Sequence, residues 1–190
     1  MTKHKLHVGC GTNILPEFVN LDMMPLPGVD LVHNLETDKF DLSLHDTFTG
    51  ILMEHTLEHI KNPLFCMEQL YRVATPNCKL IVKVPYGSTD DAWEDPTHVR
   101  PYFIGSWVYF SQLIYTRTDY GYRGDWEVED IMLDIYTDKC DSNEGERILE
   151  EVKTKRNIVK EMTCTLRAVK PLRRITAPQE IKNRITFNFI

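Results

Sequence analysis

The 190-residue chain has no apolar run approaching the ~20 residues that cross a bilayer, which argues against a membrane span. It also has no basic excess: Lys and Arg number 22 against 28 Asp and Glu, a formal net charge of −6. Nucleic-acid binders usually carry a basic face. The one dense basic stretch, Lys170, Arg173 and Arg174, comes late, so a nucleic-acid partner is not favoured. There is no internal repeat and no low-complexity segment. Cys10, Cys66, Cys78, Cys140 and Cys164 are scattered and form no Cys-x-x-Cys pair, which suits reduced thiols. No signal-type apolar stretch opens the sequence, and the expected location is the cytoplasm.

What is present is an ordinary globular composition, 42% apolar and 26% charged, in a length that fits one domain. A chain of this size can bury a core without disulfides or a structural metal. Five short runs read as strands: 5–8 ending at Gly9, 18–21 closed by Asp22, 30–33 ending at Asn34, 49–53 running into Glu54 and His55, and 80–84 stopped by Pro85. They are rich in Val, Ile and Leu and separated by turn residues, as buried parallel strands tend to be. Asn62-Pro63 supplies a helix cap and a first-turn proline, Leu64, Met67, Leu70 and Tyr71 recur at helical spacing, and Thr75-Pro76-Asn77 ends the element. Strand, helix, strand implies a right-handed crossover onto a parallel sheet.

Beyond it, residues 87–102 are polar and irregular, as an active-site loop would be. A short helix is expected over 106–114, strands over 125–135 and 162–169, and a helix over 147–155. We read residues 1–170 as the domain and 171–190 as a tail. Its final Ile185-Thr-Phe-Asn-Phe-Ile alternates like an edge strand, an edge that a second copy could use to make a homodimer.

His7-Val-Gly-Cys-Gly-Thr-Asn is a strand running into Gly-x-Gly, where backbone can approach a ligand closely. Asp22 ends the next strand, where a carboxylate can accept bonds from both hydroxyls of a ribose. It follows the glycines sooner than the ~20 residues of the dinucleotide unit. The first crossover is therefore abbreviated, or the strand order differs.

Together with Pro16-Glu-Phe-Val-Asn-Leu-Asp22, Gly28-Val-Asp-Leu-Val-His-Asn-Leu35, Leu57-Glu-His-Ile60, Glu68-Gln-Leu-Tyr-Arg-Val73 and Lys79-Leu-Ile-Val-Lys-Val-Pro85, this opening resembles the class I S-adenosylmethionine-dependent methyltransferases. The likeness is to the compact type in which a glycine turn and a proline replace a full first helix. It extends over about residues 5–110, and Thr165-Leu-Arg-Ala-Val-Lys-Pro171 is similar to the family's closing strand. The resemblance implies an α/β fold: a Rossmann-like, doubly wound, mostly parallel sheet with an antiparallel C-terminal strand. It implies S-adenosylmethionine as cofactor, with Gly9, Cys10 and Gly11 under its methionine part, Asp22 on the ribose, Met23 near the adenine, Asn34 and Leu35 flanking it, and Glu54 and His55 beside the sulfonium. Ala74-Thr-Pro-Asn-Cys78 stands where the family usually has Leu-Lys-Pro-Gly-Gly, and Asn77 can still make the left-handed turn.

Two clusters remain. Glu54-His-Thr-Leu-Glu-His59 contains His55-x-x-Glu58-His59, the pattern of inverted zinc peptidases, with two histidines on a helix face holding zinc and the glutamate as base. The motif follows a strand directly and Asn62-Pro63 soon interrupts it, so Glu58 and His59 read as structural and no resident metal is expected. Asp95-Pro-Thr-His-Val-Arg-Pro-Tyr-Phe103 gathers an acid, a histidine, an arginine and two aromatics in the polar loop, and the compared type often carries a similar run. His98 is the first choice for a base or substrate-binding group, Arg100 for binding a carboxylate or phosphate, and Asp95 their partner. The same three could merely order the loop. The expected function is methyl transfer to a small molecule, sugar or nucleotide. The alternatives are a zinc-dependent hydrolase and a non-catalytic cofactor-binding module.

Overall fold

A computed structural model describes residues 3–115, 120–141, 144–174 and 184–190. Among the described residues eight strands form one sheet: β1 (Lys5–Val8), β2 (Phe18–Asp22), β3 (Leu31–Val32), β4 (Phe48–Glu54), β5 (Ala74–Pro85), β6 (Trp126–Ile135), β7 (Val159–Ala168) and β8 (Ile185–Phe189). The order is β3-β2-β1-β4-β5-β7-β6-β8. Strands β1 to β5 are mutually parallel, β7 runs antiparallel to both β5 and β6, and β8 adds parallel to β6 at the edge. The chain thus winds outward in both directions from β1 and β4, as a doubly wound sheet does, and open sheets of this kind bind ligands where the order reverses.

The first crossover is short, as expected, and its loop is held by one side chain. Asn20 on β2 is fully buried; its Oδ1 accepts from Leu15 N (2.9 Å), and its Nδ2 donates to Leu15 O (3.0 Å) and Phe18 O (3.1 Å). A buried amide satisfied this way fixes the loop without a helix. Helix α1 (Pro63–Val73) begins as its sequence indicates, with Asn62 Oδ1 accepting from Phe65 N (3.1 Å) and proline in the first turn. It passes directly into β5, which takes in Thr75-Pro76-Asn77. A register shift between Phe48 and Gly50 absorbs the extra residues, and Asn77 takes φ +64°. The short helix expected over 106–114 is a pair of 3₁₀ segments, Ile104–Phe110 and Gln112–Ile114.

The sheet has one apolar face. Leu6, Val8, Ile51, Met53, Leu80, Val82, Cys164, Leu166 and Ile131 are in register across it and at most 2% exposed. On this face α1 is tied to the sheet by Trp126 Nε1 donating to Met67 O (3.0 Å) and Tyr71 Oη donating to Val169 O (2.6 Å). Trp107, also fully buried, stacks on Tyr102 and donates to Met162 Sδ. Helix α2 (Asp91–Glu94) is a single turn in the polar loop, and α3 (Gly145–Thr154) buries Ile148 and Val152. After β7 the chain is anchored by Arg173, whose guanidinium bonds both oxygens of the fully buried Asp125 (2.7 and 2.9 Å). Among the described residues no helix is long and apolar enough to cross a membrane.

Candidate functional site

The carboxyl ends of β1, β2, β3 and β4 lie side by side, and each contributes a group to one cleft of about 490 Å³. After β1, Gly9 has φ +65°. A Cβ there would come within 2.1 Å of Thr56 Oγ1, so only glycine lets this turn close on the residues after β4. Gly11 has φ +50°, and a Cβ on it would meet nothing within 4 Å. The space above the turn is open.

Asp22 clamps that turn. Its Oδ2 accepts from Gly11 N (2.8 Å) and its Oδ1 from Met24 N (2.9 Å), while Cys10 N donates to Leu21 O (3.0 Å). Each carboxylate oxygen keeps a lone pair for a further donor. The Cys10 thiol is turned inward, and burial, with Asp22 adding, pushes its pKa up. Met23 and Met24 leave the strand exposed over the cleft, at 62% and 53%.

At the end of β3, His33 is 8% exposed and stacks on Phe40 with ring centroids 4.1 Å apart. Its Nε2 has no hydrogen-bond partner, and burial lowers its pKa against the pull of Asp38. Asn34 Oδ1 accepts from Glu36 N (3.0 Å), so part of the oxygen's capacity is spent on its own turn. Leu35 is buried beside it. After β4, His55 takes φ +46° and is half exposed, with Nε2 3.0 Å from Glu161 Oε1 and Nδ1 3.7 Å from Glu58 Oε1. Glu58, then Glu161, raise its pKa against burial and Lys83.

The cleft therefore gathers Gly9, Asp22, Met23, Asn34, Leu35 and His55 of the expected set. Cys10, Gly11 and Glu54 do not line it. Glu54 is in register with Lys83 and points to the sheet's other face. Leu21, Met24, His33, Glu36, Thr56, His59, Ile60 and Lys61 complete the lining. Thr56 was signalled only by its neighbours in sequence, since the need to leave room for it arises in three dimensions.

The polar loop is stapled to the turn after β4: Val99 N and Arg100 N donate to Glu58 O (2.9 and 3.3 Å). Asp95 Oδ1 accepts from Thr97 N (2.8 Å) and Thr97 Oγ1 (2.6 Å), and these two bonds hold its carboxyl below the ordinary range. His59 Nδ1 lies 3.0 Å from Thr97 Oγ1 and 3.2 Å from Thr97 O. His98 Nδ1 lies 3.3 Å from Ala92 O, its Nε2 is 3.8 Å from Asp95 Oδ2, and the two imidazoles meet edge to face at 4.7 Å. Asp95 and His98 are thus brought together, with Thr97 and His59 between sheet and loop. Arg100 turns away, to the mouth of a second cleft of about 550 Å³ walled by Tyr102, Phe103, Tyr109, Phe110, Tyr115 and Tyr120. Residues 57–59 make one 3₁₀ turn. His55 and His59 therefore share no helix face, which the zinc-peptidase pattern requires.

Comparison with known proteins agrees with this geometry. No curated protein sequence matches the chain. Among solved structures the fold is similar to a SAM-dependent methyltransferase from Archaeoglobus fulgidus (16% identity, TM-score 0.52, covering 86% of this chain and 85% of that one). It is similar to the YcgJ protein of Bacillus subtilis (14% identity, TM-score 0.53, 88% and 93%). It is also similar to a 16S rRNA adenine-N1 methyltransferase from Catenulisporales acidiphilia solved with its cosubstrate SAM (16% identity, TM-score 0.50, 90% and 88%). The family model described as a methyltransferase domain matches residues 3–116, more than half of the chain, and the chain belongs to that methyltransferase family.

Proposed function

We propose that the cleft binds S-adenosylmethionine and that the protein transfers its methyl group to a small molecule carrying an anionic group, a sugar or nucleotide among the candidates. The observation that carries the cofactor half is the clamp of Asp22 on Gly11 at the mouth of an open cleft. Two features fit the cofactor: the glycine turn, which brings Gly9 to the cleft with no side chain in the way, and the unpartnered, buried Nε2 of His33 in the wall beside Asn34 and Leu35. Asp22 would accept from the ribose hydroxyls, Met23 and Met24 would cover the adenine, and Asn34 and Leu35 would flank it. When bound, the cofactor supplies an activated methyl carbon, so the protein's main task is to align a nucleophile with it.

The acceptor half belongs to the polar loop. Arg100 suits a carboxylate or phosphate, and the aromatic walls beside it suit a flat or ring-shaped body. His98, in the same loop, would help to hold or activate the acceptor. The net charge of −6 sets the whole surface against a polyanion.

Calorimetry with S-adenosylhomocysteine tests the reading. Wild-type protein binds it, and Asp22→Ala weakens binding by roughly 100-fold or more, since two charge-assisted bonds at about 1.5–3 kcal/mol each are at stake. His98→Ala keeps that affinity and loses turnover. An absence of binding by the wild type would overturn the proposal.

A further inference from the structure

Glu58 poses a problem that the methyltransferase reading does not solve. It is 3% exposed, and neither carboxylate oxygen has a hydrogen bond. His55 Nδ1 stands 3.7 Å from Oε1, too far for a hydrogen bond, and burying a carboxylate so poorly partnered is costly. His59 and His98 each bring a ring nitrogen to it, and one ligand atom from each of the three side chains lies within 4.8 Å of the others.

Hydrogen bonding indicates which ring nitrogens are left to act as ligands. The single hydroxyl proton of Thr97 goes to Asp95, so Thr97 Oγ1 can only accept from His59, and Thr97 O can only accept. His59 therefore carries its proton on Nδ1. The partner of His98 Nδ1 is the Ala92 carbonyl, which again requires a proton on that nitrogen. With the protons so placed, Nε2 is the ring nitrogen left to act as ligand on each, that of His98 lying 3.8 Å from Asp95 Oδ2. A ligating histidine that donates its other N–H to a carbonyl, with a carboxylate behind it, is the usual outer support of a metal site.

We propose that Glu58, His59 and His98 hold one divalent transition-metal ion, Zn²⁺ on ligand chemistry. Two imidazoles and a carboxylate suit zinc and leave a fourth position open. This is not the ligand set of the sequence motif: His55 faces Glu161, and His98 comes from the loop 39 residues downstream of His59. His59 also lines the cofactor cleft, so the metal site adjoins that cleft. A metal held there would supply Lewis-acid chemistry, lowering the pKa of an acceptor oxygen that reached it. That use rests on the proposed function; the site itself does not.

The test is titration of the purified, chelator-treated protein with Co²⁺ and Zn²⁺, reading the cobalt d–d absorption and the stoichiometry. One ion per chain with a tetrahedral cobalt spectrum is expected. Glu58→Gln and His98→Ala should each abolish it, and Thr97→Val, which leaves all three ligands in place, should weaken it roughly 10- to 100-fold. His98 stands in a loop, so its variant keeps the test valid if Glu58→Gln fails to fold by circular dichroism. No stoichiometric binding, or binding unchanged in His98→Ala, overturns the site. S-adenosylhomocysteine affinity measured on the same samples separates the two readings: loss of that affinity alone overturns the function and leaves the metal standing.

Discussion

The two faces of the sheet are made by the same strands and have opposite chemistry. On β5, Leu80 and Val82 are fully buried, whereas Ile81 between them is 39% exposed and Lys79 and Lys83 point with it. Register carries the alternation outward: Lys79, Ile81 and Lys83 stand opposite Arg167, Thr165 and Thr163 on β7. The first face is sealed by α1 and the aromatic segment around Trp107. The second is a ladder of charges, with Lys79 and Glu129 at 3.1 Å, Arg167 and Glu129 at 3.4 Å, Lys83 and Glu161 at 2.7 Å, and Arg167 paired to Glu127. A sheet wound in both directions ordinarily buries both faces and reads as continuous apolar runs. Here the second face is hydrated over β5 and β7, whereas on β1 and β2 it buries His7 and Asn20, the latter holding the first crossover loop.

The largest effect should come from unsealing the apolar face. Trp107→Ala removes a fully buried indole, its stack on Tyr102 and its contact with Met162. A loss of about 3–5 kcal/mol is expected, read as a lower midpoint in urea unfolding at unchanged slope. A loss below about 1 kcal/mol would mean that this face is not the core.

One step down, neighbouring residues on β5 test the comparison within a single strand. Leu80→Ala should cost about 2–5 kcal/mol. Ile81→Ala should cost well under half of that, because its side chain already meets water and leaves no closed cavity. Equal losses at the two positions would show that the second face is covered in solution.

This alternation also marks what the sequence could disclose. Strand ends were legible because turn chemistry punctuates them: Gly9, Asp22, Asn34 and Pro85 all stand at or beside the predicted breaks. The cap at Asn62-Pro63 placed α1 correctly because capping is local. The extent of β5 was not legible, since Thr75-Pro76-Asn77 reads as a terminator and becomes strand only through a register shift against β4. In the cleft, Asp22, Asn34 and His55 follow from their positions at strand ends. His33 and Thr56 were missed because their roles depend on a stacking partner and on the space beside Gly9. Glu58 and His59 read as structural because their partners, Thr97 and His98, are about forty residues away in sequence.

Acid should act on the polar face before the apolar one. Asp30 accepts from Asn20 N (2.9 Å) and Lys3 Nζ (2.9 Å), and these bonds, Asn20 first, lower its pKa. A carboxyl depressed in the folded state stabilises the fold above its unfolded pKa, about 3.9, and that contribution is lost as pH falls through the folded value. Asp30→Asn should therefore flatten the fall in stability below about pH 4, followed by thermal unfolding across a pH series. An unchanged acid limb would remove Asp30 from the account.

The smallest effect is expected from the charge ladder. Arg167 bonds Asn77 Oδ1 (2.8 Å) as well as its two glutamates, yet its side chain is 29% exposed, and that of Lys79 is 62% exposed. Pairs this open to water contribute about 0.2–1 kcal/mol each, and salt screens them over about 8–10 Å. The double variant Lys79→Ala, Arg167→Ala should lose about 1–2 kcal/mol at low salt, and most of the difference from wild type should vanish at 1 M salt, where the screening length is about 3 Å. The salt dependence carries the comparison, because a ladder shielded by a partner or a second copy would keep its contribution when ions are added. A loss that persists at high salt would mean that the polar face is an interface, and that its alternation with the apolar face was selected by docking instead of by water.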